Sequence, residues 1–359
     1  MANHDDVRID LAGILRQLED NGYDDVRVEF APVGTAGPAV SDAVSRGVVA
    51  ANEAAADRVW GAAPTATLAG VSVKLMDPYD LDAVSEWLAA FAEVLRAGGL
   101  SGDLRATPLV GLPEWISQIA DPMVTAYVAL AAPAPGRSTD QWCERAVRWA
   151  SEAGGDAYLS SAGMNQVDTS GEVAAHLSSV LLASSSAAVR YADEGASRAA
   201  FVHMNPNGQA VYQVYDPAAS PAAQVDRARA AILAEAAQAS FAFVAPTPYQ
   251  VYSWDDRGRA LQPLQPLWPE IGAAVLRVHA NLWSRLVPDA HCIQLLTQEH
   301  MSLVSDLSQW SVTEVTPGRF LVEASDLAEW LRPGGPANST VDKARADFGR
   351  ALASPDDLR

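Results

Sequence analysis

Cysteine and lysine are nearly absent from this chain of 359 residues. Its two cysteines, Cys143 and Cys292, are far apart, one on an expected helix and one on an expected strand, so no disulfide framework is implied. Lysine occurs twice, at Lys74 and Lys343, against 23 arginines. Together with abundant alanine, that bias is what the codons of a GC-rich genome produce, and it points to a bacterial source. Positive charge as a whole is scarce, and the formal net charge is −19 at pH 7. A nucleic-acid backbone or an anionic membrane would be repelled, whereas a basic protein partner is compatible. Long apolar runs are missing too. The longest uncharged stretches contain prolines and fall short of the roughly 20 residues that a membrane span needs. The first residues, Met1-Ala-Asn-His-Asp-Asp, have neither a basic start nor an apolar run, so no signal peptide is expected and the cytoplasm is the expected location.

Motifs that carry chemistry are equally sparse. The six histidines, His4, His176, His203, His279, His291 and His300, form no His-Glu-x-x-His pattern, and no Cys-x-x-Cys is present. Neither a metal nor a cofactor is expected. No Gly-x-Ser-x-Gly elbow occurs, and neither cysteine has a local signature of an activated nucleophile. Gly34-Thr-Ala-Gly37-Pro38 lies between an expected strand and helix, where backbone N–H groups could meet a phosphate. It lacks the Walker lysine and the third glycine of a dinucleotide fingerprint, and it reads as a turn with proline near a helix start.

What is present is periodicity. Hydrophobic residues make up 49% of the chain, enough for sizeable cores, and the length favours two domains. Residues 7–20 read as a helix, with Val7, Leu11, Ile14, Leu15 and Leu18 on one side. Val26, Val28 and Phe30 follow as a strand, and a helix-like run covers about 39–60. Between about 70 and 161 the pattern is β-α-β-β-α-β. Val71, Val73 and Leu75 alternate with Ser72 and Lys74. Asp80 caps a helix with Leu81, Val84, Leu88, Phe91 and Leu95 on one stripe, closed by Gly98-Gly99. Leu104 and Ala106 mark a second strand and residues 124–130 a third. Ser138-Thr-Asp-Gln141 has the form of a capping box for a helix bearing Trp142, Ala146, Trp149 and Ala153, and residues 157–159 supply a last strand. That order is expected to fold as a ferredoxin-like βαββαβ sandwich, a scaffold that carries many unrelated functions. The insertion at 110–123, around Trp115, is expected to pack down as a short helix and offers a candidate binding residue.

The polar stretch 163–171 reads as an interdomain linker. Three segments are therefore expected: 1–161, an α+β domain with the ferredoxin-like core; 162–331, a second α+β domain with antiparallel hairpins; and 332–359, a flexible linker with a short amphipathic tail helix. Residues 172–190 read as a helix. Asn207-Gly208 then marks a hairpin in which a two-residue turn would place His203 opposite Tyr212, with Phe201 and Val214 on the same side. A second hairpin is expected to turn at Asp255-Asp256-Arg257-Gly258. With Trp254 this tip combines aromatic and charged groups, as contact surfaces do. His300 falls on one helical face with Val304 and Leu307.

Two functions follow. The first is a non-enzymatic protein-binding chain of inhibitor or immunity type, contacting its partner through Trp254, Asp255, Asp256, Arg257 and Trp115. The second is a small-molecule enzyme using an interdomain acid-base site around His203 and Tyr212, with His300 as a further candidate. The missing catalytic motifs and the acidic charge favour the first.

Overall fold

The structure, a computed structural model, describes residues 6–34, 38–56, 58–67, 70–109, 114–117, 123–131, 139–161, 164–167, 171–183, 186–247, 282–332 and 335–358. The chain has a mixed α+β fold and divides into two compact units that are not consecutive in sequence. One comprises Met1–Leu112, Tyr158–Thr169 and Leu182–Ser184, and the other Pro113–Ala157, Ser170–Leu181 and Ser185–Arg359. The stretch 163–171, expected as a linker, contains a strand, β9 (Met164–Val167), antiparallel to β8 (Asp156–Ser161).

The first unit begins with a difference from expectation. Val7 belongs to a strand, β1 (Val7–Ile9), and helix α1 (Leu11–Asn21) starts only after Asp10, whose Oδ1 accepts from the Gly13 N–H at 3.0 Å. β2 (Asp25–Pro32) follows, then α2 (Pro38–Ala54), β3 (Trp60–Gly61), β4 (Thr65–Thr67), β5 (Gly70–Met76), α3 (Leu81–Ala97) and β6 (Gly102–Leu109). The sheet order is β1-β6-β2-β5-β3, with β4 also on β5 and only the β1–β6 pair parallel. Alternation decides its two faces. Val26, Val28, Phe30, Val71, Val73, Leu75, Leu104 and Ala106 form one buried cluster with residues of α1, α2 and α3. Arg27, Glu29 and Lys74 occupy the other face, where Arg27 pairs with Glu29 and Lys74 with Asp25.

Helix α3 is capped as expected, with Asp80 Oδ1 accepting from Ala83 N–H at 2.7 Å. Its core stripe includes Trp87, stacked on Phe91 at 4.8 Å, and the indole N–H donates to Asn52 of α2 at 2.8 Å. Two glycines permit this packing. A Cβ on Gly47 would lie 2.8 Å from the Phe91 ring, and one on Gly61 would lie 2.6 Å from Trp87.

The second unit overturns the ferredoxin-like sandwich over 70–161. That fold would place all four strands of the run in one sheet. Instead β5 and β6 remain in the first sheet, and β7 (Met123–Leu130) enters the second one. Every residue of β7 is buried, so the strand needs neighbours on both edges and cover on both faces. It finds them in β12 (Gln209–Tyr215) and β13 (Ala239–Thr247), both antiparallel. The expected helix 172–190 also divides, into α6 (Val173–Ala183) and β10 (Ala187–Asp193). β11 (Arg198–Asn205), β14 (Ile293–Thr297), β15 (Trp310–Thr316) and β16 (Arg319–Ala324) complete the order β15-β16-β14-β13-β7-β12-β11-β10 within this unit.

Helices α5 (Thr139–Ser151) and α7 (Pro221–Glu235) pack on one face of this sheet. Arg145 of α5 makes a two-pronged ion pair with the buried Glu235 of α7, at 2.7 and 3.0 Å. The tail docks on its own unit. Phe348 of the helix Asn338–Phe348 is fully buried, Arg345 clasps Asp289 at 2.9 and 2.8 Å, and Val287 pairs with Leu352.

Candidate binding cleft

The hairpin that was to assemble an acid-base pair has a different register. Asn205 pairs with Gln209, which leaves Pro206, Asn207 and Gly208 in the loop. The Asn205 carbonyl accepts from Gly208 N–H at 3.1 Å, Gly208 has φ +89°, and the Asn205 side chain accepts from Gln209 N–H at 3.0 Å. These are the features of a three-residue hairpin loop, in which a turn is followed by a left-handed glycine. One extra loop residue moves every side chain of one strand to the opposite face relative to the other. His203 therefore faces Val211, and Tyr212 faces Val202.

The two residues lie on opposite faces of the sheet, and both are buried. Tyr212 packs edge-on against Trp149 at 5.2 Å, and burial pushes its phenol above the ordinary range. His203 shares its face with Phe201 and Gln213, in a buried polar layer that pattern reading missed. There Gln213 donates to Thr125 at 3.2 Å, Gln209 donates to the Tyr127 hydroxyl at 3.0 Å, and Asn205 donates to Gln209 at 2.7 Å. The signal in the sequence was the polar residue at alternate positions of otherwise apolar strands.

His300 is buried in the short helix Gln298–Met301. Its Nδ1 accepts from Thr297 N–H at 3.0 Å and closes a capping box, and burial pushes its pKa down to about 4. His291, stacked on Phe243 at 3.8 Å, is pushed down to about 4 for the same reason. Both are neutral structural groups near pH 7. Trp115 sits in the short helix α4 (Glu114–Ser117), half-buried, 6.4 Å from the Tyr215 ring. Trp254, Asp255, Asp256 and Arg257 lie outside the described residues.

Three clefts among the described residues can be compared, and no histidine lines any of these three. One, of about 670 Å³ along β1, α1 and β6, contains no aromatic side chain, and its Arg8 and Asp103 are already paired at 2.7 Å. Another, of about 280 Å³, is a small apolar notch between α7 and the helix Leu327–Trp330. The third, of about 440 Å³, combines aromatic and charged walls and is the candidate site.

Four elements build that cleft: β15, β16, the helix Leu327–Trp330 and the tail helix Asn338–Phe348. Trp310 stands at the start of β15 because its ring packs edge-on against Phe348 at 5.1 Å and its N–H donates to Asp347 Oδ2 at 3.1 Å. Trp330 lies 6.3 Å from Trp310, with the ring planes at 54°. Asp326 caps its helix through the Glu329 N–H at 3.2 Å. Glu329 accepts from Ala337 N–H at 3.1 Å and pairs with Arg332 at 3.0 Å, and these contacts, led by the backbone one, hold its carboxyl below the usual range. Lys343 reaches the same Asp347 oxygen as Trp310, at 3.2 Å. Three carboxylates and one ammonium thus line the cleft beside two indoles. Such a lining can hold a cation with an apolar stem, while no cysteine or histidine is there to act as nucleophile or base.

Among the described residues, no group of three or more His, Cys, Asp or Glu side chains could hold a metal ion, and no helix is long and apolar enough to cross a membrane. No family model matches the chain, and no curated protein does. Among solved structures it is similar to the Pseudomonas aeruginosa T6SS protein PA0821, at 7% identity and a TM-score of 0.41, over 65% of this chain and 76% of that one.

Proposed function

We propose that this chain is a non-enzymatic protein-binding protein of a bacterial cytoplasm, of the inhibitor or immunity type. The observation that carries the reading is the cleft between Trp310 and Trp330, a concavity with aromatic and carboxylate walls and neither cysteine nor histidine in its lining. Tryptophan is among the residue types that dominate binding energy at protein interfaces. The net charge of −19 makes a basic partner the favourable one, through attraction at long range. The bacterial part of the proposal rests on residue usage, and the cytoplasmic part on the expectation of no signal peptide. The competing enzymatic reading depended on His203 acting with Tyr212, and those residues are on opposite faces of a sheet.

Capture from the source bacterium tests the reading. Tagged wild-type chain is expected to retain one host protein in near-equal amount, and Trp310→Ala to lose at least about 1 kcal/mol of that affinity, the mark of an interface hot spot. Equal retention by both forms would remove the cleft from the interface, and repeated failure to retain any protein at low salt would reject the function.

A further inference from the structure

We infer that the Trp310–Trp330 cleft receives a lysine or arginine side chain of the partner, which takes the place now held by Lys343. The inference rests on the protein-binding reading and supplies the chemistry of its contact. At about 440 Å³ the cleft suits one long side chain and its flanking backbone. Its walls are complementary to a cation with an apolar stem. Asp326, Glu329 and Asp347 face it, and the faces of indole rings attract cations.

The protein already places an ammonium there. Lys343 Nζ lies 3.2 Å from Asp347 Oδ2, on the same helix four residues away, and its side chain is 58% exposed. Asp347 is only 12% exposed and keeps its bond from Trp310, whereas the Lys343 ammonium end stands in solvent, so it is the lysine that an incoming cation exchanges. Glu329 is held by Arg332 at 3.0 Å and by the Ala337 N–H at 3.1 Å, neither of which involves Lys343. Lys343 is one of only two lysines in a chain with 23 arginines, so its position in this cleft does not follow from composition.

The test uses the full chain and two capped pentapeptides, Gly-Ala-Arg-Ala-Gly and the same sequence with neutral citrulline in place of arginine. Tryptophan fluorescence follows the titrations. Saturable binding is expected for the arginine peptide alone, weakening as salt is raised. Lys343→Ala is expected to bind it about twofold tighter, which corresponds to losing one i,i+4 competitor. A gain of affinity is an effect that misfolding does not produce. Equal binding of the two peptides, no saturable binding by wild type and Lys343→Ala, or unchanged or weaker binding by Lys343→Ala would each overturn the inference. If a captured host protein is indifferent both to Lys343→Ala and to competing arginine peptide, the inference falls and the protein-binding reading stands. Arginine-specific binding with no host protein captured removes that reading and leaves the cleft's cation chemistry standing.

Discussion

At the scale of single residues, burial matters more than residue type. His203, Tyr212 and His300 are chemically able to move protons, and each is enclosed in its unit. The histidines leave their mark on stability. His291 and His300 have folded-state pKa values near 4, below the unfolded value of about 6.5. Between those values the unfolded chain binds more protons than the folded one, so stability falls as pH drops from about 6.5 to about 4, and is unaffected by these groups above pH 7. Each histidine contributes about 1.4 kcal/mol per pH unit within that window. Urea titrations at pH 7.5, 5.5 and 4.5 should show this loss, and His300→Gln should roughly halve its slope. A stability that stays flat down to pH 4.5 would mean that the two rings are not held neutral.

At the scale of elements, close approach sets what each helix can carry. Asn52 of α2 accepts from both the Trp87 indole and the Gly61 N–H, at 2.8 and 2.7 Å, and so joins helix, helix and strand. Asn52→Ala leaves two donors without that acceptor and should cost about 1–3 kcal/mol. Gly47→Ala should cost a similar amount, about 1–3 kcal/mol, by pushing α2 off Phe91. Chemical denaturation with unchanged denaturant slope would check both, and a Gly47→Ala protein as stable as wild type would show that α2 can shift freely. The helix stripes that predict these contacts were legible, because a repeat of three and four residues fixes a face locally. The Asn52 contacts were not, since they join residues 9 and 35 positions apart.

At the scale of the whole molecule, the tail is part of a unit rather than an appendage. Phe348 and Ala351 are fully buried, Arg345 pairs with the buried Asp289, and Lys343 and Asp347 complete the candidate cleft. Removing residues 337–359 should lower Tm and shift Trp310 emission to the red, because Phe348 and the Asp347 carboxylate no longer enclose that ring. Unchanged Tm and emission would show that the second unit is complete without its tail. The amphipathic spacing of Val341, Ala344 and Phe348 announced a helix, but not the surface that receives it.

From the sequence alone came the α+β character, the strands 26–30, 71–75 and 124–130, the capped helix after Asp80 and the hairpin near Asn207-Gly208. Each depends on periods and caps acting within a few residues. Tertiary structure decided which sheet each strand joined, which face His203 and Tyr212 took, and that Trp310, Trp330 and Asp347 share a cleft. Strand partners are chosen by cover from distant chain, and a single added loop residue reverses a face, so neither outcome is written in any local pattern.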